Sequence, residues 1–136
     1  MSETFLRDLP ALFAAVLVGI LFVQSSLDKV MDWGSNHAWL RQHFAKTFLR
    51  PFVGVMLATI TLLEGVAGLG AIAGIVVFLA NGSFTLVHIA SVVAALTLTA
   101  LFFGQRVAKD YAGAAVLVPY FLLSLALMYL SKPTVR

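Results

Sequence analysis

The sequence predicts an all-α fold, namely an integral membrane four-helix bundle with a short interfacial amphipathic helix in its first loop. Hydrophobic residues make up 61% of the 136 positions and charged residues 11%, whereas a soluble domain has about 45–50% and about 25%. The apolar residues are concentrated in four continuous runs, each close to the roughly 20 residues that a helix needs to cross a bilayer. An outer-membrane β-barrel would instead show short segments of alternating hydrophobicity.

The four runs predict a single transmembrane domain over residues 1–136. We expect the spans at about 9–31, 52–79, 84–104 and 112–130. The first run could also be an export signal, but Glu3 and Asp8 offset the charge of Arg7, and an export signal begins with a positive charge. We therefore expect a permanent first span.

Turn residues separate the later spans. Asn81-Gly82-Ser83 is typical of a tight turn, and Pro51 stands where the first turn of a helix tolerates a residue without a backbone donor. Pro119 lies inside the fourth span and is expected to bend it. Connections this short predict an up-and-down bundle.

The first loop, residues 32–50, is the longest connection and carries both tryptophans of the chain. Leu40, Phe44 and Phe48 recur every four residues in it, which predicts a short amphipathic helix lying in the membrane interface. The alternative is an ordinary hydrated loop with a few aromatic residues.

Basic residues favour one orientation in the membrane. The first and third loops carry six of them, and the termini with the second turn carry three. The positive-inside rule then favours a cytoplasmic first loop with both termini outside. A net charge of +3 that is this scattered excludes a nucleic-acid partner. We expect the bilayer to be the principal partner, in a multi-pass protein of the bacterial inner membrane.

Glu64 is the most informative polar residue, because it lies near the middle of the second span and is followed by four spaced glycines. A charged side chain at this depth costs roughly 2.5–3.5 kcal/mol. We expect the carboxyl to be protonated or paired, since desolvation penalises the charged form. Gly70 and Gly74 form a small-residue face on which another helix can pack closely.

Counting residues inward from the first-loop side places Glu64, His88 and Tyr120 at depths within roughly 10 Å of one another. This predicts a midplane cluster that could pass protons, hydrogen-bond a quinone carbonyl or satisfy its own polar groups. A lone histidine favours a structural hydrogen-bond partner over a metal ligand, and no second histidine lies in a span to complete a haem site. No metal site is predicted.

A second group of polar residues lies at the edge of the membrane on the first-loop side. Gln24 and Asp28 are one helical turn apart and share a face, with Ser25 and Lys29 on the adjacent stripe. The junction of the third and fourth spans adds Gln105, Arg106, Lys109 and Asp110. These side chains form either ion pairs that fix helix ends or a polar mouth for an anionic or quinone-like headgroup.

Three segments, taken in order, resemble the DoxX family of small four-helix membrane proteins. The first is Leu-Phe-Val-Gln-Ser-Ser-Leu-Asp-Lys at 21–29, the second is Glu-Gly-Val-Ala-Gly-Leu-Gly at 64–70, and the third is Lys-Asp-Tyr-Ala-Gly-Ala-Ala at 109–115. The family commonly has a glycine shortly before the lysine, where this chain has Ser25, Ser26 and Asp28.

The resemblance implies an accessory membrane subunit of a quinone- or sulfur-linked redox assembly, with a hydrophobic pocket for quinone or lipid and a surface for a protein partner. The chain has no cysteine, which excludes thiolate redox chemistry, and no self-contained catalytic site is evident. One alternative is a small proton-linked transporter, in which Glu64 and His88 exchange protons and the protein forms a homo-oligomer. The other is a purely structural membrane protein.

Overall fold

The computed structural model describes residues 3–132, which form five α-helices and no β-strand. The elements are α1 (Glu3–Met31), α2 (Trp33–His43), a 3₁₀ turn (Arg50–Phe52), α3 (Val53–Asn81), α4 (Thr85–Val107) and α5 (Tyr111–Leu130). The predicted all-α fold is confirmed, as is the helix in the first loop.

Four of these helices, α1, α3 with its preceding 3₁₀ turn, α4 and α5, are long and apolar enough to cross a membrane. The chain is therefore a multi-pass membrane protein. Two helices are longer than the predicted spans, because α1 already begins at Glu3 and α4 continues to Val107. Hydropathy detects only the apolar run, whereas the backbone hydrogen bonds of a helix continue into its polar ends.

The four long helices pack as an up-and-down ring in which α1 contacts α3, α3 contacts α4, α4 contacts α5, and α5 returns to α1 through a smaller contact. The largest side chains that are completely enclosed are Phe22, Leu57 and Leu127. Much of the remaining apolar surface faces outward, as in Val55 and Leu62 of α3, which are each 68% exposed. That distribution suits a bundle surrounded by lipid.

Helix α3 approaches its two neighbours closely at glycines. A Cβ atom on Gly68 would lie 2.6 Å from the backbone nitrogen of Val23 in α1. A Cβ atom on Gly74 would lie 2.7 Å from the backbone nitrogen of Val87 in α4. Gly70 also faces α4, so the small-residue face predicted at 70 and 74 is confirmed. The absence of side chains at these points lets the helix backbones touch.

The first loop differs from the prediction beyond α2. The repeat of Leu40, Phe44 and Phe48 is not one helical stripe, because α2 ends at His43. Phe44 is buried and its ring lies against Gly104, whereas Phe48 is exposed. The chain turns between them, and the Thr47 hydroxyl donates to the Phe44 carbonyl. The extent of the predicted stripe is therefore wrong, since a tertiary contact of Phe44 overrides the local period.

The two remaining connections are tight turns. Gly82 has a φ of 78° and Asn81 Oδ1 accepts a hydrogen bond from the Ser83 amide, as the turn signal predicts. Between α4 and α5, Lys109 has a φ of 61° and Asp110 caps α5 by accepting a hydrogen bond from the Gly113 amide. Helix α5 continues through Pro119, and the predicted bend stays a prediction.

We expect Gly68→Ala and Gly74→Ala to destabilise the folded protein by about 1–3 kcal/mol each, because the new methyl group overlaps a neighbouring backbone. Thermal unfolding in a mild detergent measures the effect. Gly65→Ala is the matched control, since its Cβ would meet only Ser26 Oγ at 4.0 Å. That substitution is expected to be neutral or slightly stabilising through helix propensity. Equal losses in all three variants would contradict the backbone contacts.

Candidate functional site

A buried ionic cluster joins α1 to α3. Glu64 is 2% exposed, and its Oε2 accepts a hydrogen bond of 2.7 Å from the Ser25 hydroxyl. Lys29 Nζ lies 2.9 Å from Glu64 Oε1 and donates to Ser25 Oγ at 2.9 Å. The three side chains form a closed triangle, which we call the Lys29–Ser25–Glu64 cluster. Of the two states expected for Glu64, the structure shows the paired one.

The close approach of the two helices explains why these residues meet. Gly68 admits the backbone of α1 at Val23, and Glu64 lies one turn before Gly68 on the same face of α3. Helix α1 runs antiparallel to α3. Ser25 of α1 lies at the height of Glu64, and Lys29 follows Ser25 by one helical turn. The glycine that brings the backbones together therefore also directs the carboxylate at α1.

The two charges of the cluster differ in their access to the surroundings. The Lys29 side chain is 20% exposed and the Glu64 side chain only 3%, so the lysine reaches the buried carboxylate from the more accessible first-loop side. Among the described residues, Oε1 accepts no aligned hydrogen bond although Nζ is close. An ammonium has three donors, so Lys29 retains capacity for a further acceptor. Proton exchange at Glu64 would require the pair to separate.

The predicted midplane cluster does not form. His88 Nδ1 lies 3.3 Å from Ser131 Oγ near the end of α5, and Tyr120 is 39% exposed. No hydrogen bond or ion pair joins Glu64, His88 and Tyr120 within residues 3–132. Because α4 extends beyond residue 104, His88 lies in the first turn of a longer helix, about 12 Å farther from the first loop than Glu64.

The predicted polar mouth is divided among separate contacts. Gln24 and Asp28 are exposed on the neighbouring stripe of α1, and of the predicted mouth residues only Lys29 contacts Glu64. Arg106 lies over the ring of Tyr111 at 4.4 Å, a cation–π contact. Lys109 is exposed in the α4–α5 turn. The capping role of Asp110 supports the interpretation that charges at this edge fix helix ends.

His43 is a residue of this edge that the sequence did not indicate. Its ring stacks on Trp39 with a centroid distance of 4.4 Å, and its Nε2 lies 2.6 Å from Gln105 Oε1 and 3.8 Å from Asp110 Oδ2. These contacts attach α2 to the turn between α4 and α5. His43 and Gln105 are 62 positions apart, and no local pattern signals such a pairing. Ser25 had a local signal in its i, i+4 spacing from Lys29.

No metal site is evident in the described part of the chain, where no three histidine, aspartate or glutamate side chains are grouped to hold an ion.

The chain matches no protein-family model, no curated protein and no solved structure.

We expect Lys29→Met to destabilise the protein more than Glu64→Gln. The first substitution leaves a buried carboxylate without its cation, at a cost of roughly 3 kcal/mol or more. The second leaves a lysine that can reach the interface. The double variant Lys29→Met with Glu64→Gln should recover most of the loss, because no unpaired charge remains. Thermal unfolding of all three variants in one detergent measures the coupling.

The matched control for the lysine is Lys46→Met, an exposed position in the first loop. It is expected to leave the unfolding temperature unchanged. Additive losses in the double variant would contradict an energetic coupling between Lys29 and Glu64.

Proposed function

We propose that the protein is a non-catalytic, accessory membrane subunit that holds a quinone or a lipid chain within a redox assembly. The observation that supports ligand binding is an apolar groove between α4 and α5. The redox setting and the protein partner rest on the resemblance to the DoxX family.

The groove has a volume of about 270 Å³. Its lining is Leu98, Thr99, Phe102, Leu117, Val118 and Phe121. The only hydroxyl among them, that of Thr99, donates to the Ala95 carbonyl at 2.8 Å. The groove therefore favours an apolar ligand and offers almost no polar contact to select a soluble one.

The size of the groove limits what it can hold. Pockets for whole drug-sized ligands measure about 300–1,000 Å³, so this groove accommodates one ring or a segment of chain. Two phenylalanine rings in the lining suit a planar quinone ring, and the leucine side chains suit a prenyl or acyl chain. The ligand would lie in the half of the bundle nearest the first loop, because its lining comes from the second half of α4 and from positions 117–121 of α5.

The Lys29–Ser25–Glu64 cluster favours the structural alternative over the transporter. Its polar groups hold α1 to α3 and Glu64 is 2% exposed, which is the arrangement of an interhelical contact. A proton-linked transporter would need Glu64 to exchange its proton with His88, and His88 instead contacts Ser131. A structural role for the cluster is compatible with ligand binding in the groove.

The proposal is tested by extracting the protein directly from its native membrane into nanodiscs and measuring bound quinones and lipids by mass spectrometry. We expect a quinone or one lipid class to be retained above its abundance in the bulk membrane. Val118→Trp fills the groove and should reduce this retention at least severalfold. Val116→Trp is the matched control on the same helix, since Val116 is 61% exposed and does not line the groove.

A retained quinone supports the redox reading, and a retained lipid alone supports a lipid-binding structural role. Two results would overturn binding in the groove. One is that the wild-type protein retains quinones and lipids only in the proportions of the bulk membrane, and the other is that the two tryptophan variants retain the ligand equally. A protein partner that co-purifies in stoichiometric amounts would support the accessory role, and its absence from native nanodiscs would count against it.

A further inference from the structure

We propose that the hollow between α2 and the start of α3 binds the phosphate group of an anionic phospholipid. The site is formed by Arg41 of α2 and Arg50 of the 3₁₀ turn, two residues that the bundle does not otherwise use. It is separate from the groove between α4 and α5, so either site can be disproved without the other.

The hollow is open on one side and has a volume of about 650 Å³. Its lining is Ala38, Arg41, Gln42, Ala45, Arg50 and Pro51. Both arginines are exposed, and neither makes an ion pair or a side-chain hydrogen bond to another described residue. Two arginines from different segments therefore line one hollow, and the donors of their side chains are unused within the described residues.

The charge of the segment complements an anion. Arg41 and Arg50 both line the hollow, and Asp32 is the only acidic residue between positions 32 and 52. The guanidinium group presents a planar fork of donors that matches phosphate oxygens, and it holds its charge at any physiological pH. Two such groups beside a small-residue floor of alanine and proline leave space for a phosphate between them.

Exposed apolar side chains beside the hollow favour a lipid over a soluble anion. Phe52 follows Pro51 directly and is 53% exposed. It begins a stripe of exposed apolar residues on α3 that continues through Val55 and Leu62, each 68% exposed, at the spacing of one helix face. An acyl chain attached to a phosphate in the hollow can follow this stripe.

The position of the hollow matches the depth of lipid headgroups. Arg50 and Pro51 form the first turn of a helix that is apolar enough to span the membrane, so they lie where the hydrocarbon region ends. Trp39 on α2 is 55% exposed at the same end, and tryptophan is enriched at this level of the bilayer. Basic residues at this level attract anionic lipids.

The test is native mass spectrometry of the full chain in a mild non-ionic detergent, titrated with phosphatidylglycerol and, separately, with phosphatidylcholine carrying the same acyl chains. We expect tighter binding of phosphatidylglycerol. Arg41→Gln and Arg50→Gln should each weaken it about fivefold, because each loses its direct hydrogen bonds to the phosphate, without changing the binding of phosphatidylcholine. Lys46→Gln is the matched control, because it removes one charge from an exposed position outside the hollow.

Arg50→Lys serves as a second variant, which keeps the positive charge but lacks the planar donors of the guanidinium group. We expect it to weaken phosphatidylglycerol binding less than Arg50→Gln does. Thermal unfolding measured in parallel should be unchanged, since both arginines are exposed. Equal affinity of the wild-type protein for the two lipids, or an equal loss in Lys46→Gln, would overturn the proposal. Displacement of phosphatidylglycerol by inorganic phosphate alone would indicate a site for soluble anions and would also overturn it.

Discussion

At Gly68 the backbone of α3 meets the backbone of α1 near Val23, with no side chain between them. Lipid tails are as apolar as leucine, so helices in a bilayer associate through close packing and polar contacts. This contact provides the packing directly and makes the polar contact possible, because it brings Glu64 within reach of Ser25 and Lys29. The buried position of the Glu64 carboxylate thus depends on Gly68.

The other helices are held in different ways. Helix α4 packs against α3 at Gly74 with equally close backbones, whereas the polar contacts that fix α5 lie near its ends. Asp110 caps its first turn, and Ser131 beyond its last residue contacts His88. Phenylalanine and leucine side chains lie between α4 and α5 where α3 and α4 have glycine and alanine. The groove lies among these larger side chains.

Sequence reasoning succeeded where the determining physics is local. The four apolar helices depend on hydropathy, the turn at Gly82 depends on a left-handed residue, and the face at Gly70 and Gly74 depends on side-chain size. Residue counting predicted the partners of Glu64 incorrectly, because it estimates height in the membrane but not rotation about the helix axis. Rotation is determined by the contact at Gly68, and the real end of α4 moved His88 away in height as well.

The first loop shows a second limit of local reasoning. A helix was predictable in this loop, but the residue at which it ends was not. Phe44, just after the helix, packs against Gly104, and His43 contacts Gln105. Both partners belong to a helix that follows more than 50 residues later. A pattern confined to a few turns carries no information about such contacts, so sequence periodicity overestimated the length of the stripe.

The register between α1 and α3 also limits how the chain length can vary. Gly19 faces Ile72, Val23 faces Gly68, and Lys29 faces Glu64, so one continuous alignment runs along both helices. A single inserted residue turns everything beyond it by about 100°, which would direct the lysine into lipid. Insertions and deletions are therefore excluded from residues 19–29 and 64–72. Residues 45–49 form turns outside the helices, where added length costs little and leaves the register between α1 and α3 unchanged.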